Sequence, residues 1–144
     1  MPDSTTEAVH PGKHAKLIEI ARDLIDHVNT GTLDDSPLWD KHFAADFDSI
    51  EGDGMVYAGR EAVQGKCEWF YSNFTVHSCK AEGPYLGRGL SDGSTGSGSF
   101  AVKFTIDCES KDGKMPRMTM DEIAYYTVEN GKIVREEFMG MPEG

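Results

Sequence analysis

The stretch of sequence that decides the fold runs from Phe43 to Phe74 and reads FAADFDSIEGDGMVYAGREAVQGKCEWFYSNF. Two glycines and an aspartate follow Glu51, and such residues tolerate the positive φ angles that a tight hairpin turn needs. We therefore predict a strand before the turn and a short strand after it. A helix is predicted from Gly59 onwards, because four apolar side chains then recur on one helical face. These are Val63, Cys67, Phe70 and Phe74.

Length and charge limit the kind of protein that this chain can be. Its 144 residues fit a single core, and we expect a flexible tail over residues 1–12 and one domain over residues 13–144. The formal net charge of −11 disfavours nucleic acids and anionic membranes as partners, because like charges repel. No apolar run is long enough to span a membrane and no signal-peptide pattern is present, which predicts a cytoplasmic protein.

The cysteines and histidines give no pattern typical of a metal site. Cys67, Cys79 and Cys108 are odd in number and lack metal-ligand spacing. Cys67 and Cys108 continue apolar faces, so we expect them to be small buried hydrophobic residues in a reducing compartment. The five histidines show no ligand spacing either. We expect no metal site and no cofactor.

Helices are predicted mainly in the first half of the chain. An apolar stripe predicts a helix from about His14 to Asn29. Ser36-Pro37 is typical of the start of a second, short helix, which we expect to end near Ala45, with the strand entry at Asp46. The helix that follows Gly59 is the third.

Strands are predicted in the second half. Alternation from Phe100 to Glu109 predicts a strand with one buried face, and further strands are predicted over residues 75–81, 117–128 and 133–139. The segment from Gly87 to Ser99 is rich in glycine and serine and predicts a long hairpin connection, parts of which could extend the flanking strands. Helices that cover one face of such a sheet give an α+β fold with a strongly bent, mainly antiparallel sheet. We expect four side chains to face the helices: Phe100, Val102, Phe104 and Ile106.

Three motifs, in this order along the chain, resemble one known superfamily. They are Val28-Asn29-Thr30-Gly31 followed by Leu33-Asp34, then Phe43-Ala44-Ala45-Asp46 with Gly59-Arg60-Glu61-Ala62-Val63, and finally the run from Tyr126 to Arg135. From about Ala15 to Met139 the chain is similar to the nuclear-transport-factor-2-like superfamily, which includes SnoaL-like polyketide cyclases and ketosteroid isomerase. The resemblance implies a cone-shaped, cystatin-like α+β fold. It does not imply one function, because the superfamily contains enzymes, binding modules and dimerisation domains.

The resemblance to ketosteroid isomerase carries over only in part. It places the general base at Glu51, at the end of the first strand. The oxyanion-hole tyrosine of the isomerase corresponds to Leu24, which cannot donate a hydrogen bond, and its acidic donor falls near Ala124, two residues from Glu122. These departures argue against true ketosteroid isomerase activity. The histidine and aspartate that SnoaL-like cyclases use in the cavity are not matched.

The strand pattern alone, without the resemblance, also makes Glu51 the first candidate catalytic residue. It shares strand parity with Phe47 and Ser49, so an inward-facing Glu51 would meet an apolar pocket. Such a pocket would suit Glu51 to proton transfer near neutral pH. The alternative is a solvated hairpin carboxylate beside Asp53.

Glu122 and Tyr126 are the other candidate catalytic residues. They share one face of their strand, where they would form an acid and hydrogen-bond pair in the cavity. The opposite face, with Ile123 and Tyr125, is nearly as apolar, so the pattern leaves open which face lines the cavity.

The expected function is that of a small-molecule pocket protein. A cone-shaped core has an open end, and aromatic side chains are expected to line it as ligand-binding residues. The chemistry would be a cofactor-independent acid–base isomerisation, cyclisation or dehydration of a small apolar substrate, and the alternative is a non-catalytic ligand-binding or dimerisation module. Strands with apolar residues on both faces also predict a homodimer through the outer face of the sheet. The predicted ligand-binding residues are Trp39, Phe43, Phe47, Phe70 and Phe104.

Overall fold

The structure is a computed structural model that describes residues 11–89 and 96–140. Within this part of the chain the helices are α1 (Pro11–Asn29), α2 (Ser36–His42) and α3 (Arg60–Asn73). The strands are β1 (Phe43–Ile50), β2 (Val56–Ala58), β3 (Phe74–Gly89), β4 (Gly98–Ser110), β5 (Met118–Glu129) and β6 (Lys132–Gly140). None of the described helices is long and apolar enough to cross a membrane.

Two predicted segments fall partly outside the described residues. Of the predicted tail over residues 1–12, only Pro11 and Gly12 are described, and they begin α1. The glycine- and serine-rich segment is described at its two ends, where residues 87–89 extend β3 and residues 98–99 begin β4. The segment therefore extends both flanking strands. Strand β3 also continues through Gly83-Pro84, where its register with β4 shifts.

The strands form one sheet in the order β2-β1-β6-β5-β4-β3. Neighbouring strands are antiparallel, except that β1 and β6 run parallel. The register between β3 and β4 shifts in three places, and such bulges bend a strand and increase its twist. The predicted α+β class, with helices against a mainly antiparallel sheet, is confirmed.

The main core lies between α1 and the inner face of the sheet. Leu17, Ile20 and Leu24 of α1 are at most 1% exposed and belong to the same apolar cluster as the inner side chains of β4. Burying one side chain of this size contributes about 1.5–3 kcal/mol. The prediction for the inner face of β4 is confirmed by the burial of Phe100, Val102, Phe104 and, in part, Ile106.

Helix α2 differs from its prediction at both ends. Ser36 is the first helical residue, and its backbone N–H donates to Asp34 Oδ1 at 3.0 Å. The helix ends at His42, so the strand that we predicted to begin at Asp46 begins at Phe43. Two alanines after Phe43 favour a helix locally, but pairing with β6 overrides that preference.

The turn after β1 has the predicted form. The Gly54 N–H donates to the Glu51 carbonyl oxygen at 2.8 Å, and the Met55 N–H donates to Asp53 Oδ1 at 3.0 Å. Gly54 has a φ of +90°, which glycine adopts readily. The turn fixes Glu51 directly at the end of β1.

Candidate functional site

Two adjoining cavities lie between the helices and the inner face of the sheet. The inner cavity has a volume of ≈170 Å³ and the outer cavity a volume of ≈330 Å³. Both are lined by Lys66, Cys67, Tyr71, Ile106, Glu122 and Phe138. The inner cavity is further lined by Leu24, Trp39, Phe43, Phe104, Tyr126 and Glu136, among others, and the outer cavity by Glu51, Tyr57, Trp69, Phe70 and Met120.

Lys66 of α3 is held in the wall that the two cavities share. Its Nζ forms an ion pair with Glu51 Oε1 at 2.8 Å and donates a hydrogen bond to Ser49 Oγ, also at 2.8 Å. The ring centroids of Phe138 and Tyr57 lie 4.9 and 5.3 Å from Nζ, close enough for cation–π attraction. Only 15% of the Lys66 side chain is exposed. A positive charge is therefore fixed beside both cavities.

Glu136 of β6 is a buried carboxyl in the wall of the inner cavity. The parallel register of β1 and β6 pairs Ser49 with Glu136, and Ser49 Oγ donates to Glu136 Oε2 at 2.8 Å. Burial raises the pKa of Glu136 to about 7, although the charge of Lys66 and the Ser49 hydrogen bond oppose the shift. Glu136 can therefore hold or release a proton near neutral pH.

Glu122 of β5 lines both cavities and makes no hydrogen bond or ion pair within the described ranges. Burial raises its pKa, the negative charge of Glu51 raises it further, and Lys66 opposes both effects. Tyr126, on the same face of β5, is buried, and this burial raises its pKa well above the ordinary value. Tyr126 is therefore a neutral phenol that can donate a hydrogen bond.

A histidine–aspartate pair borders the inner cavity. Asp35, which precedes α2, lines this cavity, and burial raises its pKa while the nearby His27 opposes the shift. His27 Nε2 lies 3.1 Å from Asp35 Oδ1 and 3.0 Å from the carbonyl oxygen of Asp34. Because a carbonyl oxygen can only accept a hydrogen bond, this nitrogen carries the proton.

The family of the chain follows from a match over most of its length. The family model of the SnoaL-like domain matches residues 19–139. The chain belongs to the SnoaL-like family. A proposed SnoaL-like polyketide cyclase from Mesorhizobium loti is 34% identical to it, and the match covers 85% of this chain and 97% of the other, with a TM-score of 0.66.

More distant solved structures share the fold. A proposed isomerase from Bacillus subtilis is 15% identical, with 90% of this chain and 89% of the other covered and a TM-score of 0.63. An NTF2-like protein of unknown function from Exiguobacterium is also 15% identical, with 86% and 99% covered and a TM-score of 0.61. No curated protein matches the chain. Together with the family match over residues 19–139 and the 34% identical relative, these folds confirm the predicted superfamily.

The three predicted catalytic residues of this SnoaL-like chain all lie in the cavity walls. Glu51 lines the outer cavity, Tyr126 the inner cavity, and Glu122 both. Glu51 faces the outer cavity, as the inward-facing alternative predicts, but it pairs there with Lys66 and its side chain is 34% exposed.

The face of β5 that the pattern left open is now assigned. Ala124, Tyr126 and Val128 are at most 3% exposed on the inner face, together with Glu122, whereas Tyr125 is 36% exposed on the outer face. The inner face of this strand therefore supplies the cavity residues.

Four of the five predicted ligand-binding residues line a cavity. Three line the inner cavity and Phe70 lines the outer one. Phe47 lines neither, because it is fully buried and packs against Phe43 and Trp39 with ring centroids 4.7 and 6.0 Å away. It supports the wall of the inner cavity from behind. The three that line the inner cavity are Trp39, Phe43 and Phe104.

Sequence reasoning missed Lys66, Ser49 and Glu136. Lys66 lies between the inward-facing Val63 and Cys67 on α3, and this spacing was the signal that could have identified it. Glu136 gave no comparable signal, because the register between β5 and β6 shifts just before it and changes which residues of β6 face inward.

The other residues with potential chemistry behave as small or neutral groups. Among the described residues no three histidine, cysteine, aspartate or glutamate side chains could together hold a metal ion. All three thiols are free, and burial raises the pKa of Cys67 and of Cys79 to about 11. Both thiols are therefore uncharged at neutral pH.

Proposed function

We propose that this SnoaL-like chain is an acid–base enzyme for a small, largely apolar carbonyl compound. The reaction would be an isomerisation, a cyclisation or a dehydration, each of which moves protons next to a carbonyl group. One observation carries the proposal: Glu122 and Glu136, two carboxyls with raised pKa on neighbouring strands, line one cavity beside Lys66. These groups would transfer the protons themselves, without a cofactor. The relative from Mesorhizobium loti, a proposed polyketide cyclase, supports this class of reaction.

Glu122 is the proposed general base. No described residue donates a hydrogen bond to its carboxylate oxygens, and it faces both cavities. Its raised pKa makes it a stronger base than an ordinary carboxylate. Glu51, by contrast, is ion-paired with Lys66, and we propose that it holds the ammonium in place.

Lys66, Glu136 and Tyr126 are the proposed donors to the substrate oxygen. Removal of a proton next to a carbonyl group places negative charge on its oxygen, and fixed donors stabilise that charge. By the resemblance, the donors of ketosteroid isomerase have no counterpart here, because they correspond to Leu24 and to a position near Ala124. Lys66 supplies a positive charge instead, and Glu136 supplies a proton from a carboxyl with a pKa of about 7.

The test measures proton removal and does not require the natural substrate. Small cyclic ketones in D₂O exchange their α-hydrogens for deuterium when a base removes them, and NMR follows the exchange. We expect the protein to accelerate exchange of at least one ketone of a size that fits the cavities. Glu122→Gln should lower that rate about 100-fold or more, the usual contribution of a general base.

Glu129→Gln is the matched control, because Glu129 is an exposed glutamate on the same strand. It should exchange at the rate of the unmodified protein. If no ketone exchanges faster than in buffer, the acid–base proposal fails. Mass spectrometry of a ligand that co-purifies with the protein would then test the non-catalytic binding module.

We also propose that a second copy of the chain covers the outer face of the sheet. Tyr85 and Tyr125 are exposed there and flank Ala101 in one row across three strands, and Met139 is exposed on the same face. Such an apolar surface is typical of a subunit interface. Light scattering should give the mass of a dimer at micromolar concentration, and Tyr125→Glu should shift it towards the monomer. A monomeric unmodified protein would contradict the proposal.

A cytoplasmic location is part of the proposal. All three cysteines are free, as expected in a compartment that keeps thiols reduced. Fractionation of cells that express the full chain would test it, and recovery with secreted or membrane proteins would contradict it.

A further inference from the structure

One chain of hydrogen bonds passes through the wall between the two cavities. Glu136 lines only the inner cavity and Glu51 only the outer one, whereas Lys66 lines both. Ser49 lies inside the wall and is fully buried. The steps from Glu51 Oε1 to Lys66 Nζ, from Nζ to Ser49 Oγ, and from Oγ to Glu136 Oε2 each measure 2.8 Å.

The two inner hydrogen bonds of this chain run in the same direction, whereas Lys66 Nζ also donates outwards to Glu51. Lys66 Nζ donates to Ser49 Oγ, and Ser49 Oγ donates to Glu136 Oε2. Exposure falls in the same direction, from 34% for the Glu51 side chain to 15% for Lys66 and zero for Ser49. The two inner steps are therefore oriented to move a proton from Lys66 towards Glu136.

We propose that Lys66 and Ser49 form a proton relay through the cavity wall that restores the proton of Glu136. The proposal rests on the proposed function, in which Glu136 gives a proton to the substrate oxygen. A substrate that fills the inner cavity would displace the water beside Glu136. The relay would then connect this carboxyl to solvent in the outer cavity.

The proton count closes without any further reactant. When Glu136 has given up its proton, its Oε2 takes the hydroxyl proton of Ser49 while Ser49 Oγ takes one from Lys66 Nζ. Lys66 is left as a neutral amine, held in place by Glu51, and takes a proton from water in the outer cavity; the hydroxide ion left there is neutralised in solvent by the proton that Glu122 has taken from the substrate and releases. The net result is one proton moved from solvent to Glu136.

Other titratable groups also face Glu136 and bear on its ionisation. They come from α3, the turn after β1, β5 and the segment before α2, and of these groups only Lys66 and Glu122 are changed in the variants below. These groups are Lys66, Cys67, Glu51, Glu122, Tyr126 and Asp35.

The first measurement needs no turnover. NMR of carboxyl-labelled glutamate, assigned with Glu136→Gln, reports the titration of Glu136 directly. Lys66→Met should raise the pKa of Glu136 by roughly 1 to 3 units, because the nearby positive charge favours the ionised form. Lys80→Met, at an exposed lysine of β3, should leave the titration unchanged. An unchanged Glu136 titration in Lys66→Met would overturn the relay.

The second measurement separates charge from proton transfer in the ketone exchange assay. Lys66→Arg keeps the charge, but arginine does not release its proton, so the Glu136 titration should stay near that of the unmodified protein while exchange falls about 100-fold. Ser49→Ala should lower exchange similarly, and Ser49→Thr, which keeps the hydroxyl, should restore it to within about threefold. Full activity of both Lys66→Arg and Ser49→Ala, with Glu122→Gln inactive, would refute the relay and leave the proposed function intact. Absence of exchange in the unmodified protein would instead refute the proposed function, and the titration alone would then decide whether Lys66 controls Glu136.

Discussion

The two ends of the inner face of the sheet differ in chemistry although the same strands build them. Along β5 the inward residues run from Val128 through Tyr126 and Ala124 to Glu122. At the Val128 end, the closed end, the neighbours on other strands are Phe100 and Ile133, which are fully buried. From Tyr126 to Glu122, the open end, the same face lines the cavities and meets Lys66, with Glu136 in register with Tyr126 and Phe138 in register with Ala124.

This difference shows where the fold obtains its stability and where it retains space for chemistry. The closed end has its apolar side chains packed against α1. The open end carries carboxyls whose ionised forms are penalised by burial, so their charges destabilise the folded state. Substitutions at the closed end should therefore destabilise the protein, whereas substitutions at the open end should affect activity and pH dependence.

The largest expected effect on stability is at the closed end. Phe100→Ala removes a fully buried ring from the inner face of β4 and should lower the free energy of unfolding by about 3–5 kcal/mol. Chemical denaturation at pH 7 measures it. Leu86→Ala is the control, because Leu86 pairs with Phe100 in register but is 43% exposed, and it should change stability by no more than about 0.5 kcal/mol. Equal losses in the two variants would contradict a core centred on β4 and α1.

The next effect should depend on pH and comes from Glu136 at the open end. Its pKa of about 7 in the folded state exceeds the ordinary value of 4.5, so between these values the folded state holds a proton that the unfolded state has lost. Stability should therefore fall as the pH rises from about 4.5 to 7, by roughly 3 kcal/mol in total, and then stay level. Glu136→Gln should remove this contribution. Denaturation at pH 4.5 and pH 8 should then show a higher free energy of unfolding for the variant than for the unmodified protein only at pH 8. A gain of the same size at both values would mean that Glu136 has an ordinary pKa.

The closed end could be predicted from sequence, and the open end only in part. Alternation in β4 identified Phe100, Val102 and Phe104, because a strand with one buried face has a strict period of two. Glu122 and Tyr126 were identified as candidates, but their face stayed open since Ile123 and Tyr125 made the outer face equally apolar. Burial then assigned the face.

The site residues that the sequence did not predict come together through contacts between distant parts of the chain. Ser49 and Glu136 meet through a parallel pairing of β1 and β6, and Lys66 reaches both from a helix between them in sequence. A local pattern contains no information on such a pairing. The bulge before Glu136 also reverses the alternation from which its direction would be inferred.

The smallest expected effect concerns Glu51, the residue that the resemblance favoured as the base. Glu51→Gln removes one partly exposed ion pair with Lys66, and such pairs contribute up to about 1 kcal/mol. If Glu51 only holds Lys66, ketone exchange should fall about tenfold or less, and the free energy of unfolding should fall by no more than about 1 kcal/mol. Glu122→Gln, measured alongside, should lose about 100-fold or more in exchange. The reverse order, with a 100-fold loss in Glu51→Gln and a small one in Glu122→Gln, would move the general base to Glu51 at the outer cavity. Proton removal would then take place where the side chain is 34% exposed, and the inner cavity would serve binding alone.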